Sequence, residues 1–255
     1  MRIKVLGCSG AEFAGHRPPG FLLDGKISFD AGSLTNVLSA KAQLKIRTIF
    51  ITHAHLDHIR SIPFLADNIM IRGGKQRITI MTIAPVIKTI KRDLFNSSMW
   101  PDFTGIPNAL DPVLKLVAVK EGRTVALDDY RVTPYRVNHS VPATGYLIED
   151  ASDKRVFYTG DTGPTTETWK KVGERLIHCL IIEVSFPNKM SDMAAEMGHL
   201  TSRLLRAELA KLSRMPERVY VTHPKPQFLK VIKKELQGLR MKNLFLLRDG
   251  DTIRV

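Results

Sequence analysis

Hydrophobic residues along this chain gather in short runs, each closed by a polar or glycine-containing stretch. Runs rich in β-branched and aromatic residues predict strands at 3–6, 21–23, 27–29, 48–51, 78–82, 114–119, 124–126, 132–137, 143–149, 155–158, 179–182, 218–221, 244–247 and 252–255. Asp24-Gly25, between the second and third runs, is a hairpin signal. Helices are predicted over 34–46, from Ile59 onward, over 85–94 with Pro85 in the first turn, over about 165–175 and 202–212, and from beyond Pro224 to about 237. Residues 96–112, with Trp100, Pro101, Phe103, Gly105, Pro107 and Pro112, read as a long irregular segment of the kind that often carries function. Trp100 and Phe103 either wall a pocket there or anchor the segment to the core. In both halves several strands are followed by strands alternating with helices, and no low-complexity linker divides them. The expectation is one α/β domain over residues 1–255, with helices outside a two-sheet sandwich.

Composition narrows this picture only in part. A hydrophobic content of 44% suits a soluble globular chain, and no apolar run approaches the roughly 20 residues that span a bilayer. The first residues are too short in their apolar part for a signal peptide, and a cytoplasmic protein without membrane attachment is expected. Two cysteines, Cys8 and Cys179, make no disulfide framework and read as reduced thiols. The net charge of +13 favours an anionic partner without choosing between a nucleotide, a nucleic acid and an acidic surface. Lys225, Lys230, Lys233 and Lys234, like Arg203, Arg206, Lys211 and Arg214, read as solvated helix faces.

Chemistry concentrates in Thr52-His53-Ala54-His55-Leu56-Asp57-His58, between the strand at 48–51 and a helix. Imidazoles and carboxylates are ligand types for zinc, iron or manganese. His53 and His55 alternate on one side of an extended loop and can reach one ion; Asp57 and His58, past the turn, can reach a second. Two ions about 3.5–4 Å apart form a clamp for phosphate-ester hydrolysis. His139, Asp161, Glu183 and His223 also fall at the C-terminal ends of apolar strands, where they can converge on the same edge. Asp30 sits at such an end too, either holding a neighbouring loop or capping the next helix. His16 and His178 fit no motif.

The order Asp30, HxHxDH at 53–58, His139, Asp161 and His223 resembles the metallo-β-lactamase fold, an αβ/βα four-layer sandwich, over nearly the whole chain. The resemblance implies one ion on His53, His55 and His139, a second on Asp57, His58 and His223, and Asp161 together with a hydroxide nucleophile bridging the two. Asp57 then counts among the catalytic residues as well as the ligands. It also implies that Asp30 is the structural aspartate beneath the loop. Zinc is the first choice of metal, with manganese or iron as alternatives.

His53-Ala-His-Leu-Asp-His58-Ile-Arg-Ser-Ile-Pro-Phe resembles the signature of class II cyclic-nucleotide phosphodiesterases, departing from it after Pro63, and Gly198-His199-Leu200-Thr201 is similar to that family's GHL motif. By this resemblance Glu183 and His199 deliver the proton to the leaving alkoxide. The implied reaction is hydrolysis of a small anionic phosphodiester, a 3′,5′-cyclic nucleotide such as cyclic AMP going to 5′-AMP. The nucleoside would stack on Phe186, Trp100 or Phe103. The alternative is an RNase Z-like endonuclease acting on RNA. The charge favours it, but only 21 residues separate His139 from Asp161, too few for the projecting arm of that family. A lactamase or thiolesterase shares the fold. A non-catalytic binding module would lack ligands that are all in place here. A homodimer is compatible with the sequence.

Overall fold

The computed structural model describes residues 1–73 and 76–255. Fourteen strands among these residues form two sheets of seven. The first sheet contains β1 (Arg2–Gly7), β2 (Gly20–Leu23), β3 (Ile27–Phe29), β4 (Thr48–Phe50), β5 (Ile78–Thr82), β6 (Leu114–Ala118) and β14 (Thr252–Arg254), in the order β14-β1-β2-β3-β4-β5-β6. The second contains β7 (Val125–Leu127), β8 (Tyr130–Arg136), β9 (Thr144–Asp150), β10 (Arg155–Tyr158), β11 (Cys179–Glu183), β12 (Arg218–Thr222) and β13 (Leu244–Leu246), in the order β13-β12-β11-β10-β9-β8-β7. Each sheet is antiparallel where hairpins join its strands and parallel where helices do, as from β3 to β6 and from β10 to β13. The C-terminal β14 pairs with β1, Ile3 opposite Ile253, so the end of the chain closes the sheet that its beginning opens.

Alternation along the strands sorts side chains into layers. Phe29, Phe50, Tyr146, Ile148, Val156, Tyr158 and Ile181 meet between the sheets. Their neighbours Ile49, Ile51, Ile78 and Ile80 face outward under the first set of helices. Leu147, Phe157, Leu180 and Ile182 face outward under the second set. Both faces of each sheet are therefore covered, which is why the strands read as continuous apolar runs. The helices are α1 (Ala40–Gln43), α2 (Leu56–Ile59), α3 (Ser61–Ile71) and α4 (Ala84–Thr89) on one side. On the other lie α5 (Glu167–Val172), α6 (Ser191–Glu196), α7 (Ser202–Leu209) and α8 (Leu229–Gly238). This is the four-layer αβ/βα arrangement expected from the sequence. No helix among the described residues is long and apolar enough to cross a membrane.

The expected helix over 34–46 is the main local departure. Only Ala40–Gln43 is helical, with the Ser39 hydroxyl accepting from the Ala42 amide. The buried Gln43 side chain donates to the carbonyls of Thr35 and Leu38, so those acceptors serve a side chain and the helix does not extend backward. Helix α6 lies where no element was expected, since it buries only Ser191 and Ala194 and shows no apolar period. The helix at 85–94 forms, but residues Ile90–Leu94 widen into a π turn in which the Phe95 amide reaches the Ile90 carbonyl.

Residues 96–112 are irregular, as expected. Phe103 is buried in the outer core, and Trp100 meets Phe64 edge-on at 5.1 Å, so both anchor the segment. Lys225 departs from the solvated face expected of it: it is half-buried, lies 5.9 Å over the Phe186 ring and donates to the Gly10 carbonyl.

The layer between the sheets is the part of the core that most needs close packing. Ile181→Ala, at a position 1% exposed, is expected to cost about 2–5 kcal/mol of unfolding free energy, read from urea denaturation followed by circular dichroism.

Candidate metal centre

Every candidate site residue lies at one edge of the two sheets. Asp30 follows β3, His53 and His55 follow β4, and Asp57 and His58 lie in α2. His139 follows β8 and Asp161 follows β10. Glu183 ends β11, His223 follows β12, and His199 precedes α7. Strands pointing the same way deliver their following loops to the same edge, so residues far apart in the chain meet there.

The meeting is close. His53, His55, His139 and Asp161 each offer a ligand atom within 4.8 Å of the others, and so do Asp57, His58 and His223. Asp161 Oδ2 lies 3.8 Å from His53 Nε2, 3.4 Å from His58 Nε2 and 3.3 Å from His223 Nε2, which puts it between the two groups. Asp57 Oδ2 is 3.3 Å from His223 Nε2, and His55 Nδ1 is 3.3 Å from His139 Nε2. Asp161, His199 and His223 form a third such set.

Four of the five cluster imidazoles, those of His53, His58, His139 and His223, are aimed from their far side. The Asp30 carboxylate, completely buried, accepts from the Thr52 amide at 2.8 Å, from the Thr52 hydroxyl, from His58 Nδ1 at 2.7 Å and from the Tyr158 hydroxyl at 2.6 Å. The Thr52 hydroxyl in turn accepts from His53 Nδ1 at 3.0 Å. His139 Nδ1 donates to the Gly198 carbonyl at 2.8 Å, and a Cβ at Gly198 would stand 2.7 Å from His139 Cα. His223 Nδ1 donates to the Ser185 hydroxyl at 2.9 Å. With the Nδ1 atoms committed, the Nε2 atoms of His53, His58, His139 and His223 are left to face the cluster. Those of His53 and His58 are buried with no hydrogen-bond partner. Buried nitrogens without partners are costly unless something else satisfies them, and a cation fits neutral nitrogens converging with carboxylates.

The electrostatics favour neutral rings at three of the histidines and positive charge at His58. Burial, followed for His53 by His58 and for His55 by His139, lowers both imidazoles and keeps them neutral. Burial likewise lowers His139. Burial also opposes charge on His58, but Asp161, Asp30 and Asp57 outweigh it and raise that ring well above its usual range. For Asp57 and Asp161 burial is the largest influence and would raise them; nearby His58 and His223 overcome it and hold both low.

Glu183 and His199 form a second network beside the cluster. Glu183 is fully buried and accepts from the Thr162 amide at 3.0 Å, the Leu200 amide at 3.2 Å, the Ser185 hydroxyl at 2.6 Å and His199 Nδ1 at 2.6 Å. The His199 ring lies 5.0 Å from that of His139 and is nearly parallel to that of His223 at 5.8 Å. Phe186 stands edge-on to His199 at 5.6 Å, so of the three aromatic candidates it is the one that adjoins the cluster. His178 is elsewhere and accepts from the Arg155 amide, and half-buried His16 meets Ser9.

Sequence reasoning assigned no role to Ser185, Thr52 or Tyr158. Ser185 was findable, since it stands two residues after Glu183 on the same side of the chain. Tyr158 was not, being 128 residues from its partner Asp30.

Comparisons with known proteins bear on the family and the fold. The profile of the beta-lactamase superfamily domain matches residues 22–224. A probable 3′,5′-cyclic-nucleotide phosphodiesterase of Yersinia pestis is 29% identical over 238 residues, 81% of this chain and 67% of that protein. A ribonuclease Z of Methanococcus maripaludis is 29% identical over 166 residues, 61% of this chain and 51% of that one. The chain thus spans from half to two thirds of the length of these relatives. Unliganded yeast PDE1 superposes with a TM-score of 0.85 at 19% identity, covering 100% of this chain and 99% of the other, a likeness of fold.

Thr52→Val keeps the side-chain volume and removes the hydroxyl that links Asp30 to His53. It is expected to lower unfolding free energy by about 1–3 kcal/mol, measured in urea, and to shift the His53 and His58 ring signals in NMR spectra.

Proposed function

Because the chain belongs to the β-lactamase superfamily, we propose that it is a metal-dependent phosphodiesterase acting on 3′,5′-cyclic nucleotides, with cyclic AMP going to 5′-AMP. The observation that carries this reading is the buried Glu183–His199 pair beside the His/Asp cluster, which supports a proton donor next to the candidate metal ligands. The similarity to proteins named as cyclic-nucleotide phosphodiesterases supports the choice of substrate.

His53, His55 and His139 would hold one divalent ion and Asp57, His58 and His223 another, with Asp161 shared between them. Zinc suits these donors best, and manganese or iron are also compatible. When bound, such a pair supplies Lewis acidity and a water of lowered pKa. The chain's own residues do the rest. Asp30, Thr52, Gly198 and Ser185 keep the imidazoles aimed, so little reorganisation accompanies the reaction.

His199 is the general acid. Burial opposes its charge, but the Glu183 carboxylate at 2.6 Å more than compensates and raises it to about 9, so the ring carries a proton at neutral pH. Glu183 holds Nδ1, leaving Nε2 to protonate the departing O3′ oxygen. The net reaction adds one water across the P–O3′ bond, hydroxyl to phosphorus and proton to O3′. Phe186 offers a face or edge to the nucleoside.

Cleavage of RNA is the second reading, favoured by similarity to proteins named ribonuclease Z and by the charge of +13. Against it, the span from His139 to Asp161 is taken up by the β9–β10 hairpin, which leaves no arm there to hold a folded RNA.

His199→Ala is expected to lower cyclic AMP turnover by about 10²–10⁴-fold while metal content, read by elemental analysis, stays unchanged. Hydrolysis of bis-p-nitrophenyl phosphate should fall much less, because p-nitrophenolate leaves without a proton. Loss of metal from His199→Ala would assign that residue to the ligands instead. Asp161→Ala is expected to lose both metal and activity. Cleavage of a precursor tRNA alone, with cyclic AMP untouched, would reverse the choice of substrate.

A further inference from the structure

Strand β13 forms one edge of the second sheet, and α8 lies beside it. Between them runs a groove of about 570 Å³ whose lining includes Leu229, Leu236, Met241, Leu244 and Leu246. This apolar floor is bordered by Lys233, Arg240 and Arg248, all exposed. None of these three side chains has a carboxylate partner among the described residues. Of the nearest acids in sequence, Glu235 accepts from the Asn188 amide and Asp249 from the Cys8 and Arg17 amides, while Asp251 accepts from the backbone amide of Arg248.

The backbone of β13 adds an independent observation. The Val219 amide reaches the Asn243 carbonyl and the Leu247 amide reaches the Val221 carbonyl. Alternation along a strand then turns the amide and carbonyl of Phe245 toward β12 and those of Leu246 away from the sheet. Leu246 thus presents a donor and an acceptor to whatever lies along the edge.

We propose that this groove binds an extended acidic peptide segment, which adds to β13 as a further strand. Its backbone would pair with Leu246, and the side chains on its helix-facing side would supply apolar groups to the groove and carboxylates to Arg240, Lys233 and Arg248. Charge selects the occupant. Cations along an edge disfavour pairing with a like-charged strand, and a second copy of this chain carries +13. A segment with apolar and acidic residues taking turns along one face of the strand satisfies the floor, the rim and the edge together. The inference is independent of the proposed phosphodiesterase activity.

The synthetic peptide Leu-Thr-Glu-Thr-Leu-Thr-Glu-Thr, with leucine and glutamate on one face, is the probe, and the same peptide with lysine in place of each glutamate is the control. The full chain is titrated with each, followed by fluorescence anisotropy and by hydrogen exchange at the Leu246 amide. The expected result is saturable binding of the acidic peptide only, slowed exchange at Leu246, and at least tenfold weaker binding to a variant carrying Arg240→Glu and Arg248→Glu. Circular dichroism of that variant establishes that it is folded. Absence of binding by the acidic peptide overturns the proposal, as does equal binding of the lysine peptide. Binding that leaves exchange at Leu246 unchanged overturns it too, as does affinity unaltered in the folded double variant.

Discussion

A carboxylate with no access to water holds this molecule's reactive edge together. Asp30 takes hydrogen bonds from Thr52 and His58, which follow β4, and from Tyr158 at the end of β10 in the opposite sheet. A buried carboxylate without donors would be strongly unfavourable, so these bonds are obligatory and not optional decoration. They fix the separation of the two sheets at the point where their loops converge. Asp30 itself adopts a left-handed backbone, with φ +57°, which turns its side chain under the HxHxDH loop. Non-glycine residues seldom adopt that conformation, and the donors around the carboxylate are what sustain it.

From that anchor the orientation of the imidazoles follows. In each ring, committing Nδ1 as a donor turns Nε2 toward the cluster, where in the neutral form it is the acceptor. His58 donates to Asp30, His53 to Thr52, His139 to Gly198 and His223 to Ser185. The Ser185 hydroxyl in turn donates a hydrogen bond to Glu183, which also holds His199. The cluster and the Glu183–His199 pair are thus supported by one continuous set of hydrogen bonds. Displacing Ser185 would disturb His223 and Glu183 at once.

The same edge explains how a strongly basic chain carries a donor set suited to cations. The surface positives lie on helix faces such as Lys230, Lys233 and Lys234, whereas Asp57 and Asp161 lie among the histidines. Attraction for an anionic substrate acts over the length scale of solution screening, about 8–10 Å, while cation binding is decided by atoms in contact. The two demands therefore do not compete. The groove beside β13 belongs to the outer, basic surface and draws on the longer-ranged of the two.

Much of the fold could be read directly from residues. The strand ends and the HxHxDH loop were visible because alternation, apolar runs and ligand types are properties of neighbouring positions. Residues such as His139 and His223 became legible only through the order of motifs along the chain. What the sequence could not supply was the support of the site. The tie from Tyr158 to Asp30 and the stop on His139 at Gly198 join residues distant in the chain, and nothing local marks them. The helix expected at 34–46 fails for a related reason. Its backbone acceptors are taken by the side chain of Gln43, a competition settled by packing and not by propensity. Sequence by itself determined which groups reach the edge, since strand direction and side-chain chemistry are encoded locally. Tertiary structure alone decided how those groups are aimed, because orientation depends on hydrogen bonds that exist only once both sheets are in place.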